Sequence, residues 1–220
     1  THPRAFGHGR SGISGFGGAL VDLWLYHREM WRFHNGLETP HTYQSNPYTW
    51  LAQIRPTSFH WANGEAVTGC PSGNCATNVV ALGNPILWWI GIGALMLVVW
   101  GTFYYRNWRA GVILTGYLAL YVPWLGYAHR TIFTFYTVAF APFVALAVAW
   151  MIGLLAGAVA PDGQPTVVPM PHRTEITGRV MAVGLTLAIL ACALWFLPLW
   201  RADVVDYDFW RAHMWLPTWI

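Results

Sequence analysis

The residues best suited to bind a polar ligand are concentrated in one stretch, residues 39–61, which reads TPHTYQSNPYTWLAQIRPTSFHW. Its candidate side chains combine rings with hydrogen-bonding groups: His41, Tyr43, Ser45, Trp50 and Arg55. Tyrosine and tryptophan favour the bilayer interface, but they also favour wet sites where one end of the ring is apolar and the other forms hydrogen bonds. An imidazole or a hydroxyl can orient the hydroxyl groups of a ligand. The stretch therefore predicts a binding loop, and an aromatic belt that only anchors the protein in the membrane is the alternative.

Prolines give this stretch its shape. Pro40, Pro47 and Pro56 each fix one backbone angle and remove one amide donor. No long helix or central strand can run through such a segment. We therefore expect a shaped loop that presents its side chains without a competing hydrogen-bonded ladder.

The composition indicates that this loop belongs to a polytopic membrane protein. The chain is 55% hydrophobic and 10% charged, whereas soluble domains average about 25% charged residues. Four charge-free apolar stretches follow the loop: residues 85–105, 110–128, 131–160 and 180–200. Each reaches or nearly reaches the ~20 residues that a helix needs to cross the hydrocarbon core. We predict an all-α fold with four transmembrane helices at residues 85–200. The net charge of +3 is too small to indicate nucleic-acid binding.

An amphipathic helix is predicted before the loop, at about residues 19–36. Apolar and aromatic residues recur there at the spacing of one helical face, and charged residues occupy the other faces. The charges exclude a membrane span, so we expect the helix to lie in the bilayer interface. His27 and His34 share its apolar face, but no third ligand appears at metal-site spacing, so interfacial packing is favoured over a metal site.

Two cysteines indicate the compartment. Cys70 and Cys75 lie in a polar, turn-rich segment, and a local disulfide is the simplest interpretation because a zinc site needs two more ligands nearby. Such a bond forms in an oxidising compartment, so residues 1–84 and the C-terminal tail, residues 201–220, are expected outside the cytoplasm of a plasma-membrane protein. Arginines between the first and second and between the third and fourth stretches mark the cytoplasmic side. Cys192 lies in an apolar stretch and is expected to be an ordinary buried side chain.

Several segments together resemble one protein family. They are LWLYHREMWRFHNGL, HTYQSNPYTWLAQIRP, GNPILWW at the start of one apolar stretch and HRTIFTFYTVAFAPF at the start of another. They are similar to the C-terminal four-span region of protein O-mannosyltransferases in a bacterial, actinobacterial-type form. The most specific part is the family's extracytoplasmic loop, H-x-Y-x-S-x-P-x-x-W, which residues 41–50 match. Thr42 and Leu51 stand where many members have proline.

The resemblance implies the C-terminal part of a GT-C type glycosyltransferase that transfers mannose from polyprenyl-phosphate-mannose to Ser or Thr of an exported protein. Such enzymes carry their catalytic carboxylates in an earlier extracytoplasmic loop. This chain is therefore expected to hold no catalytic residue, metal or cofactor and to act with the N-terminal part of the same enzyme. The chain opens without an initiator Met or a signal peptide, which agrees with a start inside a longer protein.

The resemblance also implies roles for individual residues. Arg130 and His129, in the turn between the second and third apolar stretches, are expected to bind the phosphate of the donor lipid, with headgroup anchoring as the alternative. The five loop residues named above are expected to bind the sugar or the acceptor.

Other interpretations remain open at this point. One is another GT-C enzyme that uses a lipid-linked sugar, and the other is a non-catalytic membrane scaffold subunit. A scaffold would explain the composition but not the polar loop at residues 39–61. A transporter fragment would place ionisable or Gly/Pro-broken positions near the centres of the spans, and no charged residue occurs there.

Overall fold

The computed structural model describes residues 13–158, 160–162 and 172–220. The chain divides into two compact units. The smaller contains the residues up to Pro40 together with His129–Thr131, and the larger contains His41–Ala128 and Ile132–Ile220. The loop predicted at residues 39–61 therefore lies almost wholly in the larger unit.

The smaller unit is built on helix α1, Ile13–Asn35. It begins before the predicted start at residue 19 because the apolar spacing continues back through Phe16 and outweighs the weak helix propensity of the glycines. The helix ends at Asn35, and the N–H of the following Gly36 donates to the Arg32 carbonyl (3.0 Å). Trp24 and Trp31 are 69% and 59% exposed. The apolar face of α1 is thus open, which suits a helix in a bilayer interface.

Among the described residues, four helices form the body of the larger unit: α2 Pro85–Phe103, α3 Trp108–Gly126, α4 Ala141–Leu155 and α5 His172–Trp200. Helices α2 and α3 begin alike, after Asn84 and Asn107, whose side-chain oxygens accept backbone N–H groups of the first turn. The close packing of α2 against α4 depends on Gly91, since a Cβ there would lie 2.5 Å from Val144 Cγ1. Apolar side chains between these helices form the main hydrophobic core.

Within the described residues, two helices are long and apolar enough to cross a membrane: α2 and the Glu175–Trp200 part of α5. Helix α4 is apolar but shorter. The predicted third span, residues 131–160, is not one helix, because a 3₁₀ helix, Thr134–Ala139, precedes α4. Pro142 stands in the first turn of α4, where its missing N–H breaks no helical bond. Upstream, the Ile132 carbonyl accepts a hydrogen bond from the loop (2.9 Å), so this part of the stretch belongs with the loop.

The fold is not all-α as predicted, because it contains a small antiparallel sheet. The strands are β1 Thr57–Asn63, β2 Cys75–Ala81 and β3 Val205–Asp206, in the order β1-β2-β3. Thr57 pairs with Ala81, and Cys75 pairs with Asp206. A disulfide joins Cys70, in the connection between β1 and β2, to Cys75, the first residue of β2. Both long strands contain β-branched and aromatic residues, which favour strands. They were not predicted because the many turn residues between them masked this pattern.

The C-terminal tail, residues 201–220, forms packed structure. After β3 come helix α6, Tyr207–Ala212, and a 3₁₀ helix, Pro217–Trp219. Trp210 and Trp219 are only 4% and 5% exposed, and they share a second hydrophobic core with residues of β2 and α5. The buried, unpaired thiol of Cys192 belongs to this core. The C-terminal residues therefore hold the sheet against α5.

Candidate functional site

A short 3₁₀ helix gives the predicted binding loop its turn. Asn46 precedes the helix Pro47–Thr49, and its side-chain oxygen accepts the N–H of Tyr48 (3.0 Å). Thr49 Oγ1 closes the turn by donating to the Asn46 carbonyl (2.7 Å). Asparagine and threonine form such local bonds readily, and Pro47 presets one backbone angle of the turn. The sequence S-N-P-Y-T thus specifies this part of the loop locally.

Ser45 and Trp50 anchor the loop from beneath. Trp50 is 0% exposed, and its Nε1 donates to Ser45 Oγ (2.8 Å). Thr134 Oγ1 donates to the same Ser45 oxygen (3.0 Å). The indole packs against the rings of Trp124 and Phe140, with centroid separations of 5.7 and 6.4 Å. Because protein encloses both side chains, Ser45 and Trp50 support the loop and present no open face to a ligand.

His41 and Tyr43 lie at the surface of the loop, the first exposed and the second half-buried. His41 Nδ1 accepts the backbone N–H of Tyr43 (3.1 Å), so a neutral His41 carries its proton on Nε2. Gln44 Oε1 accepts the His41 backbone N–H (3.2 Å) and holds the turn closed. The two rings lie side by side with centroids 5.9 Å apart. The loop therefore presents an imidazole N–H donor next to a phenol.

Further aromatic rings extend this surface. Phe133 meets the His41 ring edge-on (5.2 Å between centroids) and stacks on Phe135 (5.3 Å). Phe135 in turn contacts Phe59 (5.5 Å), which is 61% exposed. Sequence reasoning missed Phe133 and Phe135 because the apolar pattern assigned them to a membrane span. The signal that could have found them is Pro142, which marks where helix α4 begins.

Arg55 is directed at backbone carbonyls of the protein itself. Its Nε and Nη2 donate to the Thr42 carbonyl (3.2 and 2.9 Å), and its Nη1 donates to the carbonyls of Thr218 (2.7 Å) and Ile220 (3.0 Å). The guanidinium also lies over the ring of Tyr43, 5.3 Å from its centroid. These contacts use most of its donors, so Arg55 links the loop to the C-terminal residues of the chain.

The other two predicted residues, His129 and Arg130, belong to the smaller unit. His129 is exposed and Arg130 is half-buried. The adjacent Thr131 donates from its N–H to the Leu37 carbonyl (3.0 Å) and from its Oγ1 to the Thr39 carbonyl (2.6 Å). The turn that carries the two basic side chains is thus tied to the chain that follows α1.

The loop carries no acidic side chain, since residues 41–56 contain neither Asp nor Glu. Elsewhere in the described chain, Glu29, Glu175 and Asp203 each pair with a nearby arginine, at 3.1, 2.6 and 3.5 Å. Over the described ranges, no three His, Cys, Asp or Glu side chains are grouped so that they could hold a metal ion. The loop can therefore bind and orient a ligand, but it has no carboxylate to accept a proton.

The helices, loop and sheet have the fold of part of one chain in a solved Saccharomyces cerevisiae structure, the protein O-mannosyltransferase Pmt1-Pmt2 complex bound to the sugar donor. The TM-score is 0.66 at 18% sequence identity, over 97% of this chain and 28% of that chain. The likeness concerns the fold alone.

The family follows from the sequence comparison. The family model described as the C-terminal four TMM region of protein-O-mannosyltransferase matches residues 19–219, and the chain belongs to this family. The resemblance noted in the sequence is therefore confirmed.

Among the curated relatives are bacterial proteins named polyprenol-phosphate-mannose–protein mannosyltransferase. The Mycolicibacterium smegmatis protein is 30% identical over 91% of this chain and 38% of its own length. The Mycobacterium tuberculosis protein is 26% identical over 96% of this chain and 39% of its own length, and the Corynebacterium glutamicum protein is 27% identical over 89% and 36%. The chain thus spans less than two fifths of the length of these relatives.

Proposed function

We propose that the chain is the C-terminal, substrate-binding part of an enzyme that transfers mannose from polyprenyl-phosphate-mannose to a Ser or Thr hydroxyl of an exported protein. The observation that carries this proposal is the loop at residues 41–56. Its buried half, held by the Trp50–Ser45 hydrogen bond, fixes an exposed half in which His41 and Tyr43 stand side by side. The names of the bacterial relatives supply both the donor and the protein acceptor.

The loop supplies binding and orientation, and the general base comes from another part of the full-length protein. An acceptor hydroxyl must lose its proton as its oxygen bonds to the sugar, and a positioned carboxylate is the usual base for that step. The loop has no carboxylate. Most of the length of the relatives lies outside this chain, which leaves ample sequence for the missing group.

His41 and Tyr43 bind the sugar or the acceptor in this proposal. The Nε2–H of His41 can donate to a hydroxyl, and the Tyr43 phenol can donate or accept. The rings of Phe133 and Phe135 continue the surface, and aromatic faces pack well against the apolar faces of sugars and peptides.

Arg130 binds the phosphate of the donor, with His129 as a second donor. A guanidinium offers several N–H groups in a fork that matches phosphate oxygens. As the bond between mannose and phosphate breaks, negative charge grows on the leaving phosphate, and a fixed cation stabilises that charge.

The proposed topology has α2 to α5 crossing the plasma membrane, with residues 1–84 and 201–220 on the extracytoplasmic side. The Cys70–Cys75 disulfide supports this side, since such bonds persist in oxidising compartments. Helix α4, with its 15 residues, is only about 22 Å long at 1.5 Å per residue. It is therefore shorter than the ~30 Å thickness of the hydrocarbon core.

The test uses the full-length protein with polyprenyl-phosphate-mannose and a Ser/Thr-rich peptide. Wild-type protein is expected to transfer mannose to the peptide, and His41→Ala is expected to lower the rate at least fivefold at equal membrane abundance. Thr186→Val, which removes a hydroxyl bonded within α5, is the control. Transfer to a lipid or glycan acceptor but to no peptide would instead identify another GT-C activity. Full activity of His41→Ala would assign the loop to membrane anchoring.

A further inference from the structure

The C-terminal segment, defined as residues 213–220, is hydrogen-bonded to the end of the loop. Trp219 Nε1 donates to the Gln53 carbonyl (2.7 Å), and Thr218 Oγ1 donates to the Ile54 carbonyl. The partners are separated by 166 and 164 residues along the chain. These contacts therefore join two parts of the protein that no local pattern connects.

Arg55 completes this connection and extends it to the other end of the loop. Its Nη1 donates to the carbonyls of Thr218 and Ile220, while its Nε and Nη2 donate to the Thr42 carbonyl. Thr42 lies between the two residues that the loop exposes. One guanidinium thus links the C-terminal segment to the backbone between His41 and Tyr43. The same guanidinium also lies over the Tyr43 ring.

Gln53 fixes the loop at the same place. It is 1% exposed, its Nε2 donates to the Trp50 carbonyl (2.9 Å), and its Oε1 accepts the Gly83 N–H (3.0 Å). Its φ of 55° lies in the left-handed region, which a residue other than glycine keeps only where its surroundings determine the backbone. The hydrogen bond from Trp219 and the two side-chain bonds of Gln53 hold the backbone in this conformation.

The C-terminal segment is itself firmly held by α5. The His213 side chain is fully buried, and its two ring nitrogens face the carbonyls of Phe209 (2.6 Å) and Trp195 (2.8 Å). Trp219 meets the Phe196 ring edge-on (6.2 Å between centroids). The segment is therefore anchored independently of the loop and can act as a fixed support for it.

We propose that Arg55 and the C-terminal segment position the loop, so that His41 and Tyr43 stand where the donor and acceptor meet. They act through the loop backbone and not by contact with the reacting atoms. The effect on rate rests on the proposed function, whereas the hydrogen-bonded link to the loop does not.

The experiment uses the full-length enzyme with Trp219→Phe, Thr218→Val and Arg55→Lys. Phe keeps a ring without the N–H, and Val keeps the shape without the hydroxyl. Lys keeps the charge, but all its donors lie on one nitrogen, so it cannot span the carbonyls that Arg55 reaches from three nitrogens. Loop amides at residues 44–54 that are hydrogen-bonded in the wild type should exchange faster with deuterium in each variant.

The kcat for mannosyl transfer should fall at least threefold with little change in the KM of the donor. The rate loss of Trp219→Phe/Arg55→Lys should be smaller than the product of the single losses, because both belong to one network.

Matched controls are Thr186→Val, whose hydroxyl bonds within α5, and Arg201→Lys, whose arginine pairs with Asp203. Both should keep the wild-type rate of deuterium exchange in the loop and the wild-type kcat, and unchanged exchange of α2 peptides shows that every variant is folded.

Unchanged deuterium exchange of the loop amides in all three test variants would overturn the inference. A raised KM for Arg55→Lys alone, with normal kcat, would also overturn it and assign Arg55 to direct substrate binding. A wild-type enzyme that transfers no mannose would overturn the proposed function, while loop exchange would still decide the link.

Discussion

The indole Nε1 of Trp50 donates a 2.8 Å hydrogen bond to Ser45 Oγ, and both side chains are buried, at 0% and 7% exposure. The bond closes the loop across five residues. It separates an inner half of the loop, which packs on the helices, from an outer half that carries His41 and Tyr43.

Trp50→Phe should destabilise the protein by about 1 to 3 kcal/mol, because it removes a buried hydrogen bond and leaves a small cavity. Thermal unfolding of the purified protein in detergent measures the effect as a lower Tm. Mannosyl transfer should fall as well, since the outer half of the loop loses its anchor. Trp100→Phe is the control, because Trp100 is 43% exposed. An unchanged Tm for Trp50→Phe would contradict the anchoring role.

Arg130→Ala in the full-length enzyme should lower mannosyl transfer at least tenfold, which corresponds to about 1.4 kcal/mol or more of lost transition-state stabilisation. Arg130→Lys should restore the charge but only part of the rate, because an ammonium cannot bind phosphate through a bidentate fork. His129→Ala should have a smaller effect. Wild-type transfer by Arg130→Ala at normal abundance would return this residue to the role of a headgroup anchor.

The disulfide should be present in the protein isolated from cells, with Cys192 reduced. Mass spectrometry after alkylation without reductant should find Cys70 and Cys75 linked and Cys192 unlinked. Removing a disulfide that closes such a short loop should lower the free energy of unfolding by only about 2 kcal/mol in the chain-entropy model. The double variant Cys70→Ser/Cys75→Ser should therefore still fold. Free thiols at both positions 70 and 75 would remove the support for an extracytoplasmic location.

Residues 1–220 expressed alone should insert into membranes but transfer no mannose, because the loop has no carboxylate base. Co-expression with the remaining part of the enzyme tests whether activity returns when the two parts associate. Transfer by the isolated chain would show that a group within it acts as the base.

The sequence by itself determined the elements that depend on neighbouring residues. The stretches predicted at residues 85–105 and 110–128 correspond to helices α2 and α3, because apolar composition and side-chain capping by Asn84 and Asn107 act within a few residues. Four short segments, of which the motif at residues 41–50 is the most specific, were together enough to recognise the family, and the family model confirms it over residues 19–219. The turn-rich segment between Cys70 and Cys75 likewise indicated a bond that local chain geometry allows.

Only the tertiary structure decided which loop side chains face outward and what holds them. Ser45 and Trp50 match the family motif as well as His41 does, but they are buried because Thr134 and the rings around Trp50 come from distant positions. The residues next to Arg55 in the sequence do not indicate that its hydrogen-bond partners lie 163 and 165 residues later. The third strand escaped prediction for the same reason, since β3 pairs with β2 only after helices α2 to α5 have intervened. Such pairings depend on packing between distant segments, and a pattern read over a few residues contains no information about them.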